Sequence, residues 1–343
     1  MEQNVIEEII KLSQNENNFG PSPMALQAVM DNCDQMNRYP EPHSKTLTEE
    51  FSDHLGILSE NIFVCAGLVE SLDIMIRNFI SKGENLIIPE ITFVAYKLLA
   101  KVFHVETRFS KMNNYQIDID SIIENCDEKT KLIIIANPNN PTGTIVNETD
   151  LIRLMETVPK STYVVADEAY CEYVSRVDFP NTLKLLQRYP NLIMLRTFSK
   201  IYGLAGLRVG FAVAHEDVIK KLEYYQAPFT ISQVATIAAS AAIKDHKFLE
   251  KSSQDNSKSR SLLERELREL GYKVVASQSN FIYIYFDSEE ERDRVCDVLS
   301  AKNVMVRKMD PFGDDKAFRI TVPRLKNAQK VIDALGQNTV AQK

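Results

Sequence analysis

Residues 131–143 read Lys-Leu-Ile-Ile-Ile-Ala-Asn-Pro-Asn-Asn-Pro-Thr-Gly. The first half is an almost unbroken apolar run, which is typical of a strand buried on both faces in a sheet covered by helices. The second half combines two prolines, three asparagines and a glycine, which favour a rigid turn that can point an amide into a pocket. An ordinary tight turn would have the same composition. This stretch therefore indicates the fold more specifically than it indicates a functional site.

Short apolar runs of the same kind recur on both sides of this stretch. They alternate with segments whose apolar residues have helical spacing, for example 69–80, 94–102 and 148–157. Such alternation predicts an α/β domain with a mostly parallel sheet. With the run at 131–136, seven strands are predicted, and the other six are 62–65, 85–88, 105–109, 163–166, 192–195 and 209–214.

The pattern of charged and apolar residues changes after about residue 240. A long charged segment at 246–270 has leucines at helical spacing, and shorter apolar runs follow it. At the opposite end of the chain, Ile9 and Ile10 continue a pattern that begins at Val5 and suits one face of a helix. After residue 240 we predict a smaller α+β domain, with strands at 272–275, 281–286 and 317–322 and helices at 289–299 and 326–335.

The composition disfavours several classes of protein. The 343 residues carry 40 Lys and Arg against 47 Asp and Glu, without a basic block, so neither a nucleic-acid partner nor a membrane surface is predicted. The five cysteines are scattered and form no Cys-x-x-Cys pair, which predicts no metal site and reduced thiols in the cytoplasm. No apolar run reaches the roughly 18 residues of a membrane span, and the first residues do not resemble a signal peptide.

Residues suited to chemistry follow three more of the predicted strands. Asp167 and Tyr170 end the segment Val-Val-Ala-Asp-Glu-Ala-Tyr, although an aspartate there also suits a helix N-cap. Thr-Phe-Ser-Lys at 197–200 is followed by Arg208, and a partly desolvated lysine can be a nucleophile, although most lysines are simply solvated. Cys-Ala-Gly-Leu-Val-Glu at 65–70 passes through glycine into a helix start, where free N–H groups bind anions.

The four segments together are more specific than any one of them, because ligands of an open α/β sheet bind at the carboxyl ends of its strands. They supply an anion-binding helix start, a carboxylate, an amide turn and a lysine near an arginine. This set fits pyridoxal phosphate, a phosphorylated aromatic aldehyde with a ring nitrogen. The lysine would form a Schiff base, the aspartate would keep the ring nitrogen protonated, and the phosphate would take the helix start, hydroxyls and arginine.

At these residues the sequence resembles the fold-type I pyridoxal-phosphate enzymes of the class I and II aminotransferase superfamily, and within it the histidinol-phosphate aminotransferase branch. The matching motifs occur in the family's order and extend over nearly the whole chain. They are Asn-Glu-Asn at 15–17, Arg-Tyr-Pro-Glu at 38–41, Pro-Asn-Asn-Pro-Thr-Gly at 138–143, Asp-Glu-Ala-Tyr at 167–170, Thr-Phe-Ser-Lys at 197–200, Gly-Leu-Ala-Gly-Leu-Arg at 203–208 and Phe-Arg-Ile-Thr-Val at 318–322.

The resemblance implies a role for each residue of the cofactor site. It makes Lys200 the Schiff-base lysine that also moves a proton, and it pairs Asp167 with the ring nitrogen. It implies that Asn140 and Tyr170 hydrogen-bond the phenolic oxygen of the ring, on which Phe93 stacks. The phosphate is implied to be held by the N–H groups of Leu68 and Val69, by Thr197, Ser199 and Arg208, and by Tyr39 of the other subunit.

The resemblance also implies how the substrate is bound. Arg319 is expected to bind the substrate's carboxylate or phosphate, Arg307 is a candidate second arginine, and Phe19 and Asn140 complete the substrate-binding set. Two of the implied positions depart from the branch, since Phe19 and Phe93 stand where relatives usually or often have tyrosine. The two missing hydroxyls weaken the assignment to histidinol phosphate and make an aromatic or other hydrophobic amino donor a more plausible alternative.

We therefore predict an α/β enzyme with three regions. These are an arm at 1–37 that packs on the small domain or on a partner subunit, a large cofactor-binding domain at 38–240 with its sheet sandwiched by helices, and the small α+β domain at 241–343. The reaction implied by the resemblance moves an amino group between an amino donor and a 2-oxo acid such as 2-oxoglutarate, as in histidine biosynthesis. The working unit is expected to be a homodimer with the site at its interface.

Alternative functions differ in how well this sequence supports them. Aromatic aminotransferases, threonine-phosphate decarboxylases and some C–S lyases share the fold and the motifs, because the outcome depends on which α-carbon bond lies perpendicular to the ring. A nicotinamide dehydrogenase requires Gly-x-Gly-x-x-Gly after an early strand, which this sequence lacks. A non-catalytic regulatory protein is disfavoured because Lys200, Asp167, Asn140 and Arg208 are all present.

Overall fold

The computed structural model describes residues 9–340. Its strands are β1 (Ile10–Lys11), β2 (Ile62–Cys65), β3 (Asn85–Pro89), β4 (Glu106–Ser110), β5 (Met112–Asn113), β6 (Gln116–Ile117), β7 (Thr130–Ala136), β8 (Tyr163–Asp167), β9 (Leu192–Thr197), β10 (Gly210–Val213), β11 (Lys273–Val275), β12 (Phe281–Tyr285), β13 (Val304–Met305), β14 (Arg307–Lys308) and β15 (Ala317–Thr321). Its α-helices are α1 (Pro23–Asp31), α2 (Lys45–Leu55), α3 (Leu68–Asn78), α4 (Val94–Val102), α5 (Ile119–Asn125), α6 (Glu148–Thr157), α7 (Thr182–Leu186), α8 (Glu216–Tyr225), α9 (Gln233–Ala242), α10 (His246–Glu269), α11 (Glu289–Ala301) and α12 (Leu325–Val340).

Seven strands form the large sheet, in the order β2-β10-β9-β8-β7-β3-β4. Neighbouring strands from β9 to β4 are parallel, whereas β10 is antiparallel to both β2 and β9. The prediction of a mostly parallel seven-stranded sheet is therefore confirmed. All seven predicted runs are strands of this sheet, with ends that differ from the prediction by no more than two residues.

Helices cover both faces of the large sheet because its central strands are apolar on both sides. On one face, Leu72 and Met75 of α3 belong to the same apolar cluster as Leu132 of β7. On the other face, Leu154 of α6 lies in a cluster with Ile133, the next residue of β7. Consecutive side chains of a strand point to opposite faces, so this strand contributes to both cores.

A second, antiparallel sheet has the order β11-β12-β15-β14 and packs against α10, α11 and α12. The predicted α+β region is thus present, while the domain boundaries after residues 37 and 240 stay a prediction. The long helix α10 buries leucines such as Leu263 and Leu267 and leaves charged residues outside. Within residues 9–340, no helix combines the length and the apolar character that a membrane crossing requires.

The first described residues correct one expectation. Ile10 and Lys11, whose spacing suggested a helix, form β1, which lies parallel to β13 with Ile10 opposite Val304. Pairing with a free strand edge satisfies backbone groups that a short helix end would leave open, and it outweighs the local pattern. Leu12 follows in the core of the small sheet. The earlier part of that expectation, at Val5, lies outside the described residues.

Candidate active site

The carboxyl ends of β7, β8 and β9 lie side by side at one edge of the large sheet. Ala136 pairs with Asp167 across β7 and β8, and Asp167 pairs in turn with Leu195 on β9. The loops that leave these strands therefore start together. They carry Asn140, the carboxylate of Asp167 and the segment at 197–200 to one place.

A cavity of about 500 Å³ lies between this edge and the small sheet. A stretch that we call the N-terminal strap, residues 13–22, links β1 to α1 and forms a further wall. The structure brings most of the predicted site residues together on the cavity walls. These are Leu68, Val69, Phe93, Asn140, Asp167, Tyr170, Thr197, Ser199, Lys200, Arg208, Arg307 and Arg319.

Asp167 is the buried acid of the cavity. Tyr96 donates a hydrogen bond from its hydroxyl to Oδ2 at 2.6 Å, and the N–H of Ala169 donates to Oδ1 at 3.2 Å. Burial raises the pKa of Asp167 above its ordinary value, although the Tyr96 bond and the charge of Lys200 oppose the rise. A buried carboxylate of this kind is stabilised in its charged form by a nearby cation, and a protonated ring nitrogen is one.

Replacing Asp167 with asparagine should stabilise the cofactor-free protein near neutral pH. A carboxyl group whose folded pKa is raised contributes stability below its unfolded pKa and loses it as the pH rises through the folded pKa. The gain of Asp167→Asn over wild type should therefore grow as the pH rises from about 4, the ordinary pKa of an aspartate, through the raised pKa of the folded protein. Urea unfolding at about pH 4 and at neutral pH measures it. Asp53→Asn, which removes an exposed carboxylate on α2, is the control, and an equal gain there would contradict the prediction.

The start of α3 and the Arg208 guanidinium form the anion-binding end of the cavity. Gly67 is the N-cap residue of α3, with a φ of +74°, and it has no side chain that could bond the first N–H groups of the helix. Arg208 Nη1 donates to Ser199 Oγ at 3.2 Å, and the hydroxyls of Ser199 and Thr197 are 3.0 Å apart. A positive helix end, a guanidinium and two hydroxyls are the groups that a phosphate binds.

Lys200 lies between this anion-binding end and the small sheet. Its Nζ is 5.4 Å from the centroid of the Tyr170 ring and 3.5 Å from the carbonyl oxygen of Gln14 in the strap. The charge of Lys200 also interacts with Asp167 at the end of the neighbouring strand and lowers the pKa of that carboxyl group. The amine thus faces the space that the buried acid and the tyrosine share, where it can react with a carbonyl carbon.

Arg319 is a buried cation on β15, with 4% of its surface exposed. It donates through Nη1 to Asn140 Oδ1 and through Nη2 to the carbonyl oxygen of Ser13 at 3.0 Å. The rings of Phe281 and Phe312 lie 5.3 and 5.5 Å from its guanidinium carbon, and burial lowers its pKa to about 10. Its Nε has no hydrogen-bond partner among the described residues. A desolvated guanidinium with a spare donor suits a carboxylate or a phosphate.

Two of the predicted site residues lie outside the cavity, and a third lines it but is exposed. Arg307 on β14 is that third residue: it pairs with Arg319 on β15, and its charge adds to the lowering of the Arg319 pKa. Phe19 does not line the cavity: its N–H donates to Asn17 Oδ1 at 3.0 Å in a tight turn, and its ring centroid lies 5.9 Å from the guanidinium carbon of Arg324. Tyr39 is 85% exposed and also lies outside the cavity of its own chain.

Among the cavity residues that were not predicted to belong to the site, three stand out for their contacts with the predicted ones. Tyr96 could have been found, since it follows Phe93 by three positions at the start of α4 and so shares its helix face. Asn15 was predicted only as part of a family motif, although it is 1% exposed beside the Tyr170 hydroxyl. Phe312 follows a strand that is two residues long, and no local pattern marked it.

The cavity fits pyridoxal phosphate by the chemistry of its walls. The buried carboxylate of Asp167 suits a protonated ring nitrogen, and the end formed by α3 and Arg208 suits the phosphate. A side chain at Gly67 would destroy that end, because its Cβ would stand 2.2 Å from Arg208 Nη2. The cradle therefore depends on a residue without a side chain, which is expected where a ligand approaches backbone closely.

Comparisons with known proteins agree with this geometry. Residues 7–335 match the family model for aminotransferase class I and II. The chain is 38% identical over 330 residues to the histidinol-phosphate aminotransferase of Anoxybacillus flavithermus, which covers 96% of this chain and 88% of that protein. It is 36% identical over 331 residues to the histidinol-phosphate aminotransferase of Moorella thermoacetica, covering 96% and 85%.

Solved structures show the same fold. The histidinol-phosphate aminotransferase of Sinorhizobium meliloti, in complex with pyridoxal-5'-phosphate, has a TM-score of 0.90 to this chain at 23% identity. The match covers 98% of this chain and 92% of that chain. The fold, the site chemistry and the family match lead to one conclusion. The chain belongs to the class I and II aminotransferase family and is a pyridoxal-phosphate-dependent enzyme that acts on small molecules.

Proposed function

We propose that this enzyme reversibly moves an amino group between histidinol phosphate and 2-oxoglutarate, as the transamination step of histidine biosynthesis requires. The observation that carries the proposal is the buried Arg319, which bonds Asn140 near the cofactor end and keeps an Nε without a partner among the described residues. Such a group can bind the phosphate of one substrate and a carboxylate of the other. The names of the relatives from Anoxybacillus flavithermus and Moorella thermoacetica support this amino donor.

An aromatic amino acid is the second candidate donor. Phe93 and Phe312 line the cavity with apolar rings, and Phe281 packs against the Arg319 guanidinium. Phe93 offers no hydroxyl to a substrate phosphate, and Phe19 lies outside the cavity. An aromatic side chain would gain from contact with these rings, whereas a phosphate would not.

The buried side chains would hold the cofactor in a fixed orientation. Pyridoxal phosphate, when bound, supplies an electron sink that stabilises negative charge at the substrate's α-carbon. Asp167 would hold a proton on the ring nitrogen, and Asn140 and Tyr170 would donate to the ring's phenolic oxygen. The start of α3, with Arg208, would hold the phosphate.

Lys200 would do the proton chemistry. Its amine would hold the cofactor in the resting enzyme, and once freed, Nζ would act as the base that takes and returns a proton beside the substrate's α-carbon. The burial of Asp167 and Arg319 keeps water from the reacting atoms and strengthens each charge interaction. Transamination is completed when a 2-oxo acid accepts the amino group in the reverse sequence.

Replacing Gly67 with alanine should weaken cofactor binding by roughly tenfold or more, because the new methyl group would displace the Arg208 guanidinium from the phosphate. Cofactor titration followed by absorbance measures the change. Gly56→Ala controls only for a positive φ, since Gly56 has a φ of +66° and a ψ of +36° and a Cβ there would meet nothing within 4 Å, whereas the ψ of +159° at Gly67 is almost restricted to glycine. A loss of cofactor affinity on Gly67→Ala that is equal with and without Arg208→Ala would show backbone strain as the cause and count against the role of Arg208.

The substrate proposal is tested by a single-turnover donor panel with the cofactor-loaded enzyme. Histidinol phosphate should convert the bound cofactor to its amine form faster than phenylalanine, tyrosine or glutamate at equal concentration, as followed by absorbance. A faster reaction with phenylalanine or tyrosine would replace the proposal with the aromatic candidate. Release of CO₂ or of a thiol would show a decarboxylase or a C–S lyase instead of an aminotransferase.

We also propose a homodimer with the active site at its interface. Tyr39 and Tyr224 are exposed by 85% and 82%, and Tyr39 contacts the ring of Phe229, so this aromatic surface would be buried by a second copy. In that dimer Tyr39 would reach the phosphate of the partner's cofactor. Sedimentation should give twice the chain mass, and Tyr39→Phe should lower cofactor affinity.

The free cysteines support a cytoplasmic location, where thiols stay reduced.

A further inference from the structure

Asn15 has no role in the proposed chemistry, yet it is buried in the cavity wall in a conformation that few residues adopt. Its φ is +55°, in the left-handed region that asparagine tolerates better than most residues with a side chain. Only 1% of its surface is exposed. The polar atoms of a buried residue are expected to have hydrogen-bond partners. The partners of Asn15 determine which way its side-chain amide points.

Thr321 sets the orientation of the Asn15 side chain. The backbone N–H of Asn15 donates to Thr321 Oγ1 at 2.9 Å, so the proton of that hydroxyl is free to donate elsewhere. It lies 3.3 Å from Asn15 Oδ1, which it can reach as a donor. Asn280 Nδ2 holds the backbone carbonyl of Asn15 at 3.1 Å and fixes the strap at this point. The amide oxygen of Asn15 therefore faces Thr321, and the amide nitrogen faces away from it.

The amide nitrogen of Asn15 donates to the Tyr170 hydroxyl at 3.0 Å. An amide N–H is a donor only, so the phenol oxygen accepts this bond and its single proton must point elsewhere. The described residues provide no second hydrogen-bond partner for the Tyr170 hydroxyl. Tyr170 itself is 4% exposed and lines the cavity, with its ring fixed edge-on against Phe281 at a centroid distance of 5.0 Å.

We propose that Asn15 is a positioning residue that fixes Tyr170 as a hydrogen-bond donor toward the bound cofactor's phenolic oxygen. The proposal rests on the function proposed above, since it needs the cofactor ring in this cavity. A hydrogen bond donated to a negatively charged ring oxygen withdraws charge from it. It therefore stabilises the form of the bound cofactor that carries one proton fewer. Asn15 would in this way tune the protonation of the cofactor without touching it.

The test is a pH titration of the visible absorbance of the cofactor-loaded enzyme. Asn15→Gly tolerates the positive φ and removes the amide, so the Tyr170 hydroxyl loses its fixed direction. Asn15→Asp keeps the shape but replaces the donor with an acceptor, which would turn the Tyr170 proton away from the cofactor. Both should raise the pH midpoint of the titration, Asn15→Asp by about one pH unit, which corresponds to one charge-assisted hydrogen bond. Asn17→Gly is the control, because Asn17 bonds Ile201 and Ser252 from the same strap and does not line the cavity.

A double-variant cycle separates positioning from general damage to the strap. In a Tyr170→Phe background, Asn15→Gly should no longer move the midpoint, because the hydroxyl through which it acts is gone. An unchanged midpoint in both Asn15 variants, or an equal shift with and without the hydroxyl, would overturn the inference while leaving the proposed function intact. A wild-type protein that forms no cofactor band would overturn the proposed function and the inference together. If Asn15→Gly does not fold, as judged by circular dichroism, the same comparisons are made with Asn15→Asp.

Discussion

Lys200→Ala should bind pyridoxal phosphate without the visible band of the lysine-linked cofactor, and its amino transfer should fall by at least about 10⁴-fold. The amine of Lys200 lies beside Tyr170 and close enough to Asp167 for their charges to interact, so its loss removes both the covalent link and the proton carrier. Absorbance spectra and initial rates with the best donor measure the two effects. We expect the fold to survive, because Lys200 is only partly buried.

Lys221→Ala is the matched control for this experiment. Lys221 Nζ lies 5.6 Å from the centroid of the Tyr163 ring, an arrangement much like that of Lys200 over Tyr170, but on the outside of the sheet. The control should keep both the band and the rate. If Lys200→Ala retained the band, the Schiff-base lysine would have to be another residue, and the assignment of the whole cavity would be wrong.

Arg319→Ala should raise the KM for acidic substrates by a loss of about 2–5 kcal/mol, which is roughly thirtyfold to several thousandfold in affinity. Burial and two aromatic rings exclude water around the guanidinium, so solvent cannot replace its charge interaction with a bound anion. The loss would also free Asn140 Oδ1 from its donor and allow the amide to turn. Steady-state kinetics with 2-oxoglutarate and with the amino donor separate the effect on each partner.

Arg324→Ala is the control for Arg319→Ala. Arg324 also donates to a strap carbonyl, that of Asn18, at 2.7 Å, but it is exposed and lies outside the cavity. It should change the KM little. A loss for Arg324→Ala as large as that for Arg319→Ala would indicate that both act by holding the strap, and that Arg319 does not bind the substrate.

The sequence predicted the large sheet well because its strands are apolar on both faces. Runs such as Thr130–Ala136 leave little alternative to a buried strand, and their order then places the loops that carry Asp167 and Lys200 at one edge. The residue types at the carboxyl ends of the predicted strands indicated the kind of cofactor. The roles of individual residues came from the family resemblance, and these assignments stay predictions until variants are measured.

The sequence predicted less where contacts join distant parts of the chain. Tyr96 bonds Asp167 across 71 positions, and no local pattern could reveal that pair. Phe19 was expected at the substrate, but the turn at Asn17 directs its ring toward Arg324. Ile10 suits a helix by spacing, yet it forms a strand because a free edge beside Val304 is available only in the folded protein.

The N-terminal strap has a consequence for how the enzyme acquires its activity during synthesis. Ser13 and Asn15 contact Arg319 and Thr321, which stand 306 positions further along the chain. A ribosome makes these partners long after it makes the strap, so the wall formed by the strap cannot close until β15 has emerged. The large sheet can assemble earlier, because its strands are closer together in sequence. The growing chain should therefore bind the vitamin B6 cofactor only late in its synthesis, and chains truncated before β15 should be unable to retain that cofactor.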